Sequence, residues 1–472
     1  MTHSRLVPMI VAVALFMDNM DSTVIATSLP AIAADIGTNP LTLKLAVTSY
    51  LLSLAVFIPM SGWTADRFGA RTVFRAAIGV FVLGSIGCAL SGSISQLVLA
   101  RIVQGMGGAM MTPVGRLVLV RTVDRRELVN AMTWVSIPAT VGPLMGPPLG
   151  GFITTYASWH WIFLINVPIG LIGIVLVTRY IENIRSESRE GFDAVGMALS
   201  GVAVAGLTFG LSVAGIDLVP WPIVTAIIGC GAVALMLYIA YARRVQSPIL
   251  DFTLLRLPTF RASLFGGFLF RIGVGALPFL LPLLLQVGFK LSPFQSGLIT
   301  FTSTMGALFM KAAAVTVLKR FGFRTVLTIN AVLSSLFIAA CGLFSFNMPF
   351  AAMIAILLVG GFFRSLQFTS INALAYAEVP TARMSRATTL AAVGQQVSLA
   401  TGVAIGAFTV ETVVRWNGQA AITAADFPLG FLLVGLIAAC STFIFARMPA
   451  NAGAEMANRI PAATRNSDPR MG

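Results

Sequence analysis

Charge is scarce in this chain. Of its 472 residues only 10% are Asp, Glu, Lys or Arg, against about a quarter in soluble globular domains. Histidine occurs twice, at His3 and His160. Cys88, Cys230, Cys341 and Cys440 stand inside apolar segments without metal-ligand or paired spacing, so they read as small hydrophobes. No phosphate-binding glycine loop, metal cluster or Ser/His/Asp set is present, which argues against an enzyme and against self-contained ATP-driven pumping. No polar segment is long enough to serve as the soluble output domain of a receptor or scaffold. No cofactor and no obligate protein partner are expected.

What the chain has is hydrophobic length. It is 57% hydrophobic with a mean hydropathy of +0.90, and apolar runs of roughly 20 residues, enough to cross a hydrocarbon core, recur throughout. The pattern predicts an all-α polytopic membrane protein with about fourteen spans, the bilayer being its surroundings. Their approximate limits are 6–33, 42–63, 72–92, 96–119, 128–152, 161–181, 193–214, 222–241, 260–287, 293–317, 325–345, 349–376, 388–411 and 427–447. The first run lacks a signal-peptide cleavage site and is expected to be retained as a span.

The net charge of +14 would suit a nucleic-acid partner, but the basic residues fall in short clusters between apolar runs. One set of loops holds Arg67, Arg71 and Arg75, then Arg121, Arg125 and Arg126, Arg179, Arg185 and Arg189, Arg243, Arg244 and Arg256, Lys319, Arg320 and Arg324, and Arg383 and Arg386. The alternate loops hold only Lys44, Lys290 and Arg415. The positive-inside rule therefore puts both termini in the cytoplasm. It also puts Trp159 and Trp161 at the outer interface, where indoles anchor. The tail after Met448 is expected to be disordered.

The segment ADRFGARTVF at 65–74 returns as LKRFGFRTVL at 318–327, an offset of 253 (318 − 65). A fainter echo relates RIVQ at 101–104 to RSLQ at 364–367. These repeats predict two related six-helix bundles, residues 1–182 and 259–447. An extra helix pair lies in a linker at 183–258, and a tail follows at 448–472. Paired bundles of this kind place a substrate between them near mid-membrane.

Four stretches carry a family resemblance over nearly the whole chain. GWTADRFGAR offers Gly62, Ala65, Asp66, Arg67, Gly69 and Arg71; LVLARIVQGMGGA offers Arg101, Gln104 and Gly105; TVGPLMGPPLGGF offers Gly142, Gly146, Pro147, Gly150 and Gly151; and SWHWIFLINVPIG has His160 where an arginine is usual. The chain resembles the fourteen-segment drug/proton antiporters of the major facilitator superfamily, and is most similar to their MdtD-like bacterial branch. The resemblance implies a multi-pass protein of the bacterial cytoplasmic membrane that exports small molecules against protons by alternating access. It implies a cytoplasmic gate at Gly62, Asp66, Arg67, Gly69 and Arg71. The glycines and Pro147 of span five would be the antiporter signature. A symporting importer or a uniporter of the same fold would normally lack that signature.

Two carboxylates, Asp18 and Asp21, lie in span one, where an ionisable group is costly and functional by default. At about 1.5 Å per residue, Asp21 stands about 22 Å from the cytoplasmic start of its span, level with Arg101 in span four. The two can pair if their helices are neighbours, and Asp18 shares the Asp21 face one turn away. The family resembled has a single acid in this span, followed by Thr and Leu-Pro, which Asp21, Thr23, Leu29 and Pro30 fit. The resemblance thus implies Asp21 as the principal proton carrier, partnered by Arg101, with Asp18 modulating it or touching substrate. The second bundle carries Arg271, Lys311 and Arg364 without a central acid. Arg271 and Arg364, with Gln104 and Gln286, are the candidate substrate cavity. Met106, Met110, Met111, Phe268, Phe270 and Phe279 could supply adaptable walls for drugs, whereas the surplus positive charge suits an organic anion such as a carboxylate.

Overall fold

The computed structural model describes residues 3–122, 128–183, 191–214, 219–246, 248–380, 383–419, 421–449 and 452–453. Arg125, Arg126, Arg185, Arg189 and the tail from residue 454, with its Arg459, Arg465 and Arg470, lie outside the described residues, as do the side chains of Arg5 and Arg121.

All regular structure among the described residues is helical. In chain order the α-helices are α1 (His3–Val24), α2 (Leu29–Asp35), α3 (Lys44–Phe57), α4 (Ser61–Phe68), α5 (Ala70–Ala89), α6 (Ile94–Thr122) and α7 (Leu128–Tyr156). They continue with α8 (Trp161–Leu164), α9 (Asn166–Tyr180), α10 (Ala194–Val213), α11 (Trp221–Ala242) and α12 (Pro258–Leu283). The last are α13 (Pro293–Phe321), α14 (Phe323–Ala340), α15 (Phe350–Ala375), α16 (Met384–Trp416) and α17 (Pro428–Ala446).

Twelve helical segments are long and apolar enough to cross a membrane, and thirteen when the pair Pro293–Lys311 and Ala313–Phe321, bent by 59°, counts as one. The fourteen expected are not shown among the described residues. Span one is also shorter than expected. It runs from Leu6 to Thr27, and a one-turn 3-10 segment at Ile25–Thr27 separates α1 from α2.

In the first half α1 packs on α7, α6 lies between α3 and α5, and α9 backs α5 and α1. In the second half α12 lies against α16 and α17, α13 against α15, and α14 between α15 and α17. Helices α10 and α11 pair with each other, and α10 leans on α3 and α16. The halves meet where α3 touches α16 and where α7 touches α13. By the repeat, α3 corresponds to α13 and α7 to α16, so each contact is the counterpart of the other.

The repeated Arg-Phe-Gly has a backbone reason. Gly69 and Gly322 end α4 and α13 with φ of 92° and 77°, and each opens the next helix. A side chain is strained in that region, so a glycine makes the tight corner in both halves.

The ends of the bundles opposite the α4–α5 corner are joined. Lys44 Nζ on α3 meets Glu411 Oε2 on α16 at 3.1 Å and also donates to the Ala214 carbonyl at 3.2 Å. Gln286 Nε2 donates to the Thr27 carbonyl at 2.8 Å, and the Phe294 amide donates to Thr155 Oγ1 at 3.1 Å. A Cβ on Gly151 would overlap the Pro293 carbonyl, so glycine lets α7 meet α13 directly. The two halves are thereby closed against each other at this end.

Trp159 corrects an expectation. Its indole is buried, donates to Asp35 Oδ2 at 3.1 Å and stacks on His160, so it pins loops together while Trp161 alone is exposed. Met111, Phe270 and Phe279 are likewise packed in the cores instead of lining a cavity.

Candidate functional site: a buried polar network on the first helix

Helix α1 is apolar for most of its length, and its last turns carry Asp18, Asn19, Asp21, Ser22 and Thr23. The α1–α7 contact explains how a polar stretch can sit inside a bundle. Gly142, Gly146 and Gly150 recur every fourth residue, and a Cβ on each would press on the Phe16 carbonyl, the Thr23 hydroxyl and the Val24 carbonyl in turn. Removing three side chains from one face lets the two backbones approach closely. Thr27 Oγ1 reaches the Pro147 carbonyl at 3.4 Å. The span-five signature is therefore a seat for the acidic helix.

Asp21 is fully buried, and three nitrogen donors engage its carboxylate. Arg101 Nη1 lies 2.6 Å from Oδ2; Gln104 Nε2 and Asn166 Nδ2 reach Oδ1 at 2.9 and 2.8 Å. Arg101 is in turn fixed by Gln104 Oε1 at 2.7 Å and the Ala46 carbonyl at 3.3 Å. Its guanidinium stands 4.1 Å from the Tyr50 ring centroid and 5.9 Å from that of Phe163. Ser85 Oγ receives Gln104 at 2.8 Å and Asn166 at 3.3 Å, and the Cys88 thiol faces Gln104 Oε1 at 3.6 Å. Five helices, α1, α3, α5, α6 and α9, thus contribute to one polar knot. Breaking a buried pair by deleting one partner costs about 3–5 kcal/mol.

Asp18 has a different environment. It is partly exposed, and among the described residues its oxygens accept only hydroxyls: Tyr50 Oη at 2.7 Å and Thr112 Oγ1 at 3.4 Å. Gly108 leaves the room, since a Cβ there would crowd both Asp18 Oδ1 and the Tyr50 hydroxyl. Tyr50 consequently touches both acidic groups' surroundings, with its ring under Arg101 and its hydroxyl on Asp18.

The gate residues lie around the α4–α5 corner. Gly62 and Arg67 are exposed and Asp66 is partly buried on α4. Gly69 accommodates the Asn183 side chain, which also accepts the Thr72 amide at 3.3 Å, and Arg71 Nη1 reaches the Ile181 carbonyl at 3.4 Å. The corner is thereby docked on the end of span six.

The cavity candidates divide. Gln104 belongs to the Asp21 knot, and Gln286 is bonded to the Thr27 carbonyl across the seam between the halves. Arg364 donates to Ser303 Oγ at 2.7 Å. Arg271, which is buried, donates to Asn372 Oδ1 at 2.8 Å, stands 5.1 Å from the Phe368 ring centroid, and among the described residues has a buried Nε without a hydrogen-bond partner. Residues 364, 368 and 372 share one face of α15. Gln367, the echo of Gln104, bonds Asn330 at 3.0 Å on α14, as Gln104 bonds Ser85 on α5.

Sequence reasoning missed Tyr50, Asn166, Ser85 and the Lys44–Glu411 pair. Asn166 had a visible signal, a lone amide in an apolar span; Ser85 had none.

Two helical bundles with a charged knot at mid-depth define a secondary transporter that carries small molecules across a membrane. The major facilitator superfamily pattern matches residues 11–255 and 263–465, and the chain belongs to that superfamily, whose members are transporters and not enzymes. Curated relatives called "Putative multidrug resistance protein MdtD", from Salmonella heidelberg strain SL476 and Salmonella typhi, are 39% identical over 446 residues, covering 93% of this chain and 94% of theirs. Among solved structures, a POT family transporter bound to a thioalcohol-conjugated peptide matches with a TM-score of 0.68 at 15% identity, covering 93% of this chain and 94% of its own. A D-xylose–proton symporter matches with a TM-score of 0.66 at 14% identity, covering 95% and 98%. These likenesses establish the shared fold.

Proposed function

We propose that the chain is a proton-coupled exporter of the bacterial cytoplasmic membrane, with fourteen spans once α7 is counted and both termini in the cytoplasm. Residues 1–182 and 259–447 are the rocking bodies, and Asp18 is the group that takes and releases the proton. One observation carries this reading: adjacent carboxylates on α1 have opposite kinds of partner.

Asp21 receives three N–H donors, none of which can accept a proton back, and beside it Arg101 would be stranded by protonation. Asp18 is held by two hydroxyls, and a hydroxyl can donate to a carboxylate or accept from a carboxylic acid. Asp18 can therefore exist in both forms without an orphaned neighbour. It also lies one turn nearer the cytoplasm than Asp21 and is partly exposed while the outer seam is closed. Entry of one proton supplies about 2.3 kcal/mol per 100 mV. Tyr50 links the exchange to Arg101, so rearrangement of the knot and titration of Asp18 are one event.

The relatives' printed name supports drugs as cargo. Arg271 and Arg364 favour a second reading, an organic anion, because among the described residues neither guanidinium has a carboxylate partner. A substrate screen in inverted vesicles with an imposed pH gradient, reading luminal proton release for cationic drugs and for carboxylates, tests both. Release with neither class, or transport indifferent to the gradient, would overturn the proton-coupled reading.

A further inference from the structure

On the cytoplasmic side, away from the knot, a groove of about 640 Å3 opens between the connector that follows α11 and the start of α16. Four of its lining side chains are arginines: Arg243, Arg256, Arg383 and Arg386. The one carboxylate in the lining, Asp251, is committed to Arg383 at 2.6 Å, with Arg386 at 3.9 Å. Thr253 also meets both Asp251 and Arg383. The second nearby acid, Asp193, is occupied by Tyr241 Oη at 2.6 Å and by the Ile249 amide at 3.2 Å. Arg243 and Arg256 are exposed at the rim. The lining therefore carries four positive charges against one negative.

Its depth is as informative as its charge. Arg243 caps the last turn of α11, Arg256 stands two residues before α12, Arg383 is the N-cap of α16, and Arg386 lies in its first turn. All four sit within about one turn of a span's cytoplasmic end, the level of lipid headgroups. Helix α16 begins there, and helix N-termini favour anions, whereas the start of α12 is already met by Glu378, whose Oε2 accepts the Thr259 amide at 3.2 Å. Basic recesses between spans on this face are where phosphate-bearing headgroups bind, each nearby Lys or Arg contributing about 1 kcal/mol.

We propose that this groove is a binding site for the phosphate headgroup of an anionic membrane lipid. The headgroup bridges Arg243 and Arg256 on the connector to Arg386 on α16, and arginine forks suit phosphate oxygens. Because α16 also contacts α3 across the bundles, an occupant ties the extra helix pair to a helix of the moving interface.

The test is lipid titration of the purified, delipidated full chain, followed by native mass spectrometry and thermal unfolding. Cardiolipin, phosphatidylglycerol and zwitterionic phosphatidylcholine are compared, with inorganic phosphate as the soluble arm. Anionic lipid should bind at least fivefold tighter than phosphatidylcholine and raise the melting temperature. The double variant Arg243→Gln/Arg256→Gln should lose that preference, whereas the Lys pair at the same positions should keep most of it. Arg244→Gln, a neighbouring arginine outside the lining, should change nothing. Protection by inorganic phosphate as strong as by lipid would keep the phosphate chemistry but overturn the lipid source. Equal binding of anionic and zwitterionic lipid, or an unchanged preference in a folded double variant, would overturn the site. None of these readouts involves transport, so failure here leaves the proton-coupled reading untouched.

Discussion

The Tyr50 hydroxyl donates to Asp18 at 2.7 Å while the same ring lies 4.1 Å from the Arg101 guanidinium. One side chain on α3 thus joins the carboxylate that neutral hydroxyls hold to the cation that clamps Asp21. A phenylalanine would keep the aromatic face and lose the link. Tyr50→Phe is predicted to preserve folding and gradient-free substrate exchange while cutting uphill transport by at least about tenfold, the equivalent of one charge-assisted hydrogen bond. Vesicle transport with and without a pH gradient separates the two. Equal loss in both modes would reduce Tyr50 to a packing residue.

Gly146 faces the Thr23 hydroxyl so closely that a Cβ would overlap it. Gly146→Val is predicted to destabilise the protein by about 1–3 kcal/mol through overpacking and to push α1 off its seat. Thermal unfolding in detergent checks the first, and lost proton coupling the second. A variant as stable and active as the parent would show that the glycine face has no seating role.

The Lys44–Glu411 pair spans the outer seam at 3.1 Å, with Lys44 wholly buried. Lys44→Met should loosen that seam. In a chain whose own cysteines are replaced by alanine, a cysteine at Thr27 should react several times faster with an impermeant thiol reagent added outside. Unchanged labelling would mean that the seam is held elsewhere.

Asp251 supplies a pH dependence outside the membrane. Burial pushes its carboxyl up, but the hydrogen bonds from Thr253 and Arg383, with the Arg383 charge, outweigh burial and hold it below its ordinary value. A carboxyl depressed in the folded state stabilises above its unfolded pKa of about 4, and that contribution fades as pH falls through the folded value. The melting temperatures of the parent and Asp251→Asn should therefore differ at neutral pH and converge in acid. A constant difference across pH would contradict the pairing.

Much of this architecture was legible because membrane spans impose length and charge rules on sequence. The Asp21–Arg101 pairing followed from depth alone, since each position fixes a height along its helix. Sequence could not show Lys44 finding Glu411, 367 positions away across the bundle interface, because charges at span ends look like loop charges. Gln286, expected in the cavity, donates to the Thr27 carbonyl from the segment Leu284–Gly288 that follows α12, a contact that its position in the sequence does not reveal. Asn166 stood out only as a lone amide in an apolar span, and Ser85 is so small and neutral that nothing in composition separates it from ordinary helix residues. The expectation made Asp21 the carrier, and the proposal gives that part to Asp18, because spacing gives their shared face and not the chemistry of their partners.

The most direct test of the central claim is a pH titration of the purified protein by infrared difference spectroscopy, following the carbonyl band of a protonated carboxyl in the parent, Asp18→Asn and Asp21→Asn. The account predicts that Asp18→Asn loses a band which the folded Asp21→Asn variant keeps. Loss of that band in Asp21→Asn, with its persistence in Asp18→Asn, would contradict it.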